Sequence, residues 1–496
     1  MRFTIRPAHP RWPVLGCMFL AGLVSATPIA AADFTGELVE SRLAPADGAG
    51  TRFGRSNAII GSHAFVGDDW QGSRGAIYVY EFDGNEWRSL QKLVGDLGES
   101  GDSGDQLANS MAVDGDLLVA GAPEGHAAYV FRYDGAEYIR EAVLRPDDPA
   151  AGLIGTSVGV SGNRIVVSGL QRSGGGVTYV YEYAGGRWRH AATLTVPDAS
   201  SVFGHCAVQD DTVVIGDTIE DFVSIFEKSV SGWTEADRIR PAGADPRDRI
   251  NFGLPVRIDG DTIAVGAVWD NEAGSQAGAA YVFERGDDGW QQAAKFTPVG
   301  GGAQFGGSLA LESRTLIAGA VHRNTVFVFE SDGRNWSTVA EVRRQAQDVS
   351  CDPCRYGMFA GLSGERFIVG EMGANLAWIY ESGDGGWVSI DVQPWSERNL
   401  VDPNSTRLVP VAIHGSMDFD ALQCDHNSIR LNPGDARSRN YRVMDANRDG
   451  FMDLLTYFRS RELRIGCGES EVELTGATHQ GMEFHGDNVV TNRRCR

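Results

Sequence analysis

The stretch AAYVFERGDDGW, residues 279 to 290, decides the fold, because the chain writes it again and again. IYVYEFDGNEW ends at Trp87, AYVFRYDGAEY at Tyr138, TYVYEYAGGRW at Trp188 and VSIFEKSVSGW at Trp233. VFVFESDGRNW follows at Trp336 and AWIYESGDGGW at Trp387. The closing aromatics are 51, 50, 45, 57, 46 and 51 residues apart. A second marker, an apolar residue followed by a small one, opens each unit. It stands at Phe53-Gly54, Leu107-Ala108, Ile154-Gly155, Phe203-Gly204, Phe252-Gly253, Phe305-Gly306 and Tyr356-Gly357, at intervals of 54, 47, 49, 49, 53 and 51. Two independent markers therefore give seven units, and a fixed period near fifty residues belongs to propellers and other repeat arrays.

Within a unit the elements are short strands. In the fifth, PVRIDGD runs to an Asp-Gly turn, TIAVGAV follows, the polar loop WDNEAGSQAG leads to AAYVFER, and GWQQAAKFTP finishes. Alternation with period two, β-branched and aromatic residues, and Gly or Asp punctuation select strand over helix. Four strands per unit make a propeller blade, and radial repetition protects the sheet edges. The expected fold is all-β: a seven-bladed β-propeller over residues 33–392, a linker over 393–410, and a small β-rich domain over 411–496. GELVESRLAPADG, residues 36 to 48, reads as the last strand of a blade standing before the first unit. It is expected to pair with the seventh and close the ring. The apolar runs AFVG, LLVAG, RIVVSG, VVIG, TIAVG, TLIAG and FIVG are read as the innermost strands.

The openers, the strands ending Val-Gly-Ala and the AYVFER…GW hairpin resemble FG-GAP repeats, the propeller repeats of integrin α-chains. The resemblance covers residues 36 to about 392. Gly121-Ala122-Pro123 keeps the whole Gly-Ala-Pro, whereas Val265-Gly266-Ala267 and Val369-Gly370-Glu371 depart from it. Integrin-type blades often carry Asp-x-Asp-x-Asp-Gly calcium loops. GDDW (67–70) and WDNE (269–272) are acidic without that spacing, so calcium is not expected within the ring.

The C-terminal region holds a metal motif of its own, DANRDGFMD. Asp445, Asn447 and Asp449 supply oxygens at positions 1, 3 and 5, Gly450 permits the turn, the Phe451 carbonyl takes position 7 and Asp453 position 9. Hard oxygens on one tight loop suit Ca²⁺. Thr456 stands where an EF-hand has Glu, and RVM before and LLTYF after favour a strand-loop-strand site. An Asx-rich turn is the bland alternative, since these residues favour turns unaided. VAIHGSMDFDALQCDHNSIRLNPGDA followed by DANRDGFMDLLTYF resembles a small module at the ends of bacterial exported proteins. That resemblance brings no activity with it.

Arg2, Arg6 and Arg11 before the apolar run from Trp12 to Val24, then Ala30-Ala31-Ala32, read as a signal peptide over residues 1–32. The run is short for a bilayer span. Cys17 lies inside it, not at its end where a lipoprotein cysteine stands. The expected location is extracellular, cell-surface or periplasmic, without stable membrane insertion. Cys206, Cys351, Cys354, Cys424, Cys467 and Cys495 remain, an even set compatible with export. CDPC (351–354) reads as a local disulfide and Cys206 as a buried thiol. Cys467 is paired with Cys495, and Cys424 is left open. With 66 Asp and Glu against 44 Lys and Arg, a net charge of -22 argues against nucleic acid as a partner.

No catalytic constellation stands out. GTSVG (155–159) has the pattern of a nucleophile elbow, but it falls on the opener position shared with GRSNA and GGSLA, and the elbow needs a strand-to-helix turn. The histidines show no ligand spacing, and His479 and His485 are read as solvated. Trp70 and Trp269 fall in corresponding loops, where they either cover blade edges or form a binding surface. The expected function is non-enzymatic recognition of a protein or glycan. A hydrolase or lyase, with polar side chains converging on the axis, is the alternative.

Overall fold

The computed structural model describes residues 34–492 apart from 35–37, 49, 71–73, 85, 96–103, 149–150, 173, 197–204, 244–247, 288, 299–300, 345–354, 383–385, 397–398, 416–418, 420, 448–450 and 480–482. The signal peptide, CDPC, Phe203-Gly204 and Cys495 all lie outside the described residues. Among the described residues, no helix is long and apolar enough to cross a membrane. The chain forms two compact units, residues 1–81 with 87–381 and residues 82–86 with 382–496.

The first unit is nearly all strand. Its described residues form seven four-stranded sheets, the arrangement typical of propeller blades. Sheet 5 shows the plan: Phe252–Asp259, Thr262–Ala267, Ala279–Gly286 and Gly289–Phe296 run antiparallel in sequence order. The first strands of the seven sheets are Ser56–Ile60, Met111–Asp114, Ala151–Ser161, Cys206–Gln209, Phe252–Asp259, Phe305–Glu312 and Tyr356–Ser363. Each packs beside the next, and the seventh packs beside the first. These strands line the axis, and the apolar runs read from sequence as innermost are the second strands. They are apolar because each is flanked by strands on both edges and by sheets on both faces, as the fully buried Leu117–Ala122 and Thr315–Ala320 show.

The two glycine markers have one physical cause. Gly121, Gly216, Gly266, Gly319 and Gly370 end second strands. A Cβ on each would run into the carbonyl oxygen of the opener glycine in the next sheet, at Gly155, Gly253, Gly306, Gly357 and Gly54 respectively. The opener glycines themselves hold positive φ, for example 110° at Gly253. The paired glycines thus let adjacent sheets approach backbone to backbone, while the opener aromatics Phe53, Phe252, Phe305 and Tyr356 are buried beside them.

The seventh sheet takes its fourth strand from the start of the chain. Leu38–Leu43 lies beside Leu376–Ser382, as the sequence led us to expect. Arg344 binds Glu40 of that strand at 3.0 Å and lies 3.7 Å from Glu371 Oε2, the same oxygen that accepts the Trp378 indole N–H at 2.6 Å. The seventh closing aromatic therefore has no blade place to fill. Gly386–Trp387 pairs in parallel with Glu483–Asn492 in the second unit.

The second unit begins earlier than the residue-393 boundary. Ile390–Val392 pairs with Leu408–Ile413, and Val392, Val401 and Val409 belong to its hydrophobic core. The described residues of 393–410 thus belong to this unit and do not stand as a linker. The core lies between a five-stranded sheet and a four-stranded one, with Phe458, Leu474 and Phe484 buried in it.

Candidate functional site

The metal motif sits on a hairpin. Tyr441–Met444 pairs with Asp453–Arg459, and Met444 opposite Asp453 closes the turn. This is the strand-loop-strand setting read from sequence. Asp445, Asn447 and Phe451 are in the turn, while Asp449 and Gly450 lie outside the described residues. Asp453 is fully buried. Its Oδ1 accepts the Gly415 N–H at 2.9 Å, its Oδ2 accepts the Ala446 N–H at 2.6 Å, and His414 Nδ1 lies 3.3 Å from Oδ2. The buried carboxylate therefore braces the loop, and a carboxylate's four lone-pair sites leave room for a further partner. Among the described residues no group of three or more His, Cys, Asp or Glu side chains is gathered to hold a metal ion, and Asp449 of the motif is not among those residues.

The acidic ring loops are engaged otherwise. Asp270 accepts the Tyr281 hydroxyl at 2.6 Å and pairs with Lys295 at 2.9 Å. Asp68 accepts the Thr51 N–H at 2.7 Å. Trp70 and Trp269 take the same place, two residues beyond the second strands of sheets 1 and 5. They are 48% and 45% exposed. The Arg52 guanidinium covers the Trp70 ring at 4.6 Å, a cation–π contact that fixes its orientation. Trp378, by contrast, is buried against Arg344, which stacks on it at 3.4 Å.

The sequence reading missed the axis. Arg55 and His205 precede the first strands of sheets 1 and 4, and Arg257 lies within that of sheet 5. Arg55 stacks on Phe359 at 4.5 Å and lies 3.6 Å from Asp69. Burial lowers the pKa of His205 to about 4, with Arg257 and then Arg55 adding to the effect, so the imidazole is neutral. Burial also lowers the guanidinium pKa values of Arg257 and Arg55. Cys206 is a buried free thiol, as the sequence reading expected. Its Sγ lies 3.7 Å from the Ser157 carbonyl, and burial pushes its pKa up, which keeps it unreactive. Reading the apolar second strands as the axis hid these groups, since the first strands are less completely buried than the second.

Residues 233–283 match the FG-GAP repeat. The chain carries an FG-GAP repeat. The matched FG-GAP segment runs from the fourth strand of sheet 4 into the third strand of sheet 5, and includes Gly253, which faces Gly216, and Gly266, which faces Gly306. With this match, the repeated four-stranded antiparallel sheets are consistent with a β-propeller, an architecture suited to binding or recognition. Similar solved structures include a chain of the mitotic checkpoint complex, at 14% identity and TM-score 0.46, covering 75% of this chain and 100% of that one. A protein from Lactobacillus plantarum is similar at 13% identity and TM-score 0.41, covering 58% of this chain and 83% of that one. No curated protein matches the sequence.

Proposed function

We propose that the chain is an exported, calcium-binding recognition protein whose propeller binds a protein or glycan at the cell surface or in the periplasm. The observation that carries this reading is the pair Trp70 and Trp269. Two large aromatics stand half-exposed at equivalent places, at the end of the ring where the first strands begin. Exposed aromatics fixed by neighbouring groups are the residues that dominate binding surfaces. The signal-peptide pattern supports export, and the DANRDGFMD loop supports calcium, with Asp445, Asn447, Asp449 and the Phe451 carbonyl as donors. Asp453 would act mainly by fixing the loop.

A hydrolase or lyase centred on the axis is the second reading, favoured by His205 beside Arg257. Against it, the neighbouring thiol of Cys206 is held protonated, and binding explains the exposed tryptophans without chemistry.

Calcium binding is tested by calorimetric titration of the metal-stripped protein. Saturable binding is expected, and Asp445→Ala combined with Asp449→Ala should weaken it by about a hundredfold or more, because two anionic ligands are lost. Undiminished affinity in that variant would remove calcium from this loop. The partner is sought by exposing immobilised protein to envelope extract in calcium and in EDTA. Retention of nothing in either condition would count against recognition.

A further inference from the structure

Arg257 interrupts a ring of small residues. Two positions before the pair that closes each first-to-second-strand turn, the other sheets have Ala58, Ala112, Gly159, Ala207, Ala310 and Gly361. In sheet 5 that place is Arg257. Small side chains suit first strands that crowd their neighbours, where a Cβ at Gly159 meets Val208 and one at Gly361 meets Ala58, and Arg257 puts a long cationic group among them.

The electrostatic setting is unusual for this acidic chain. The other enclosed arginines have carboxylate partners: Arg164 binds Asp211 at 2.8 Å, Arg344 binds Glu40 at 3.0 Å and Arg366 binds Glu381 at 2.6 Å. Arg257 has no ion pair among the described residues. Its Nη1 donates to its own neighbour's carbonyl, Val256 O, at 2.8 Å. The charges of Arg257 and then of Arg55, from sheet 1, act on the His205 imidazole. Arg257 and His205 keep partial exposure, so both remain accessible to a small solute. A guanidinium enclosed without a counter-charge is costly, and binding an anion offsets that cost.

We propose that the propeller axis binds a small carboxylate, gripped by the Arg257 fork with Arg55 and His205 beside it. The planar guanidinium matches a two-oxygen acceptor through parallel N–H donors. The proposal is independent of the rim tryptophans and of the calcium loop.

The test is calorimetric titration of the full-length protein with succinate, glucuronate and inorganic phosphate at fixed ionic strength, with glucose as the uncharged control. Saturable binding of at least one carboxylate is expected, with no heat from glucose. Arg257→Gln should weaken it by about tenfold or more, the loss of a charge-assisted hydrogen bond, and Arg257→Lys by less. Thermal melting checks that each variant is folded. Should Arg257→Gln fail to fold, Arg55→Gln replaces it, with a several-fold weakening expected. Absence of saturable carboxylate binding, unchanged affinity in the folded variant, or phosphate binding tighter than both carboxylates would overturn the proposal.

Discussion

Replacing Gly370 by alanine is expected to destabilise the propeller unit by about 3 kcal/mol, the upper range for forced overpacking. Gly370 ends the second strand of sheet 7, and a Cβ there meets the Gly54 carbonyl oxygen, with Asn57 Nδ2 2.6 Å away. The obstacle is backbone, so no rotamer change relieves it, and sheets 7 and 1 must separate. That junction is also where the ring closes. Gly115→Ala is the control: Gly115 has φ 56° and nothing within 4 Å of its added Cβ. It carries only the conformational penalty, about 1 kcal/mol. Chemical denaturation of both variants decides the point. Equal, small losses would mean that the glycine pairs do not set the spacing between sheets.

Arg344→Ala is expected to cost about 3–5 kcal/mol, because it leaves a buried carboxylate without its partner. Arg344 is 7% exposed and Glu371 1% exposed, with Glu40 at 11%. The guanidinium joins the N-terminal closing strand to the seventh sheet and stacks on Trp378. Burial already raises the Glu371 pKa, while the Trp378 N–H and Arg344 oppose the rise. Without Arg344 the carboxyl is pushed further up. A raised folded pKa means that the native state binds the proton more tightly, so stability falls as pH climbs above the ordinary glutamate value of about 4.3. The variant should therefore regain part of its loss on acidification towards pH 4. Arg343→Ala, which removes a 60% exposed arginine paired with Glu341, should change stability by less than about 1 kcal/mol. A loss in Arg344→Ala no larger than that would show that the closure rests on strand pairing alone.

The parts of the fold legible in sequence were those with a backbone cause. Gly54 and Gly370 recur because two backbones meet there, and Leu38–Leu43 was recognisable because it copies an outer strand such as Gly232–Ile239. The axis was misread because hydrophobicity peaks in the second strand, which is covered on every side, while the first strand has one edge towards the axis and tolerates Arg257 and Ser157. Aligning the units on the closing pair of each turn, instead of on the Phe-Gly opener, would have exposed Arg257 as the one large residue in its column. The opener alignment fails in sheet 4, where only six residues separate Phe203 from Gln209 against seven between Phe252 and Asp259. Trp387 misled in a different way: its hairpin continues the repeat in sequence, but the N-terminal strand already holds the place it would fill. Asp453 was readable as part of a metal motif, whereas its bond to Gly415 and the approach of His414 come from a segment nearly forty residues earlier in the chain and leave no local trace.

The account rests most directly on the rim of the propeller as a recognition surface. The deciding measurement is capture from envelope extract, and on an array of envelope glycans, by the wild-type protein and by Trp70→Ala combined with Trp269→Ala. Both side chains are half-exposed, so the double variant should melt as the wild type does. The account predicts a specific partner retained by the wild type and lost by the variant. Equal retention by both proteins, or a wild type that holds nothing, would contradict it.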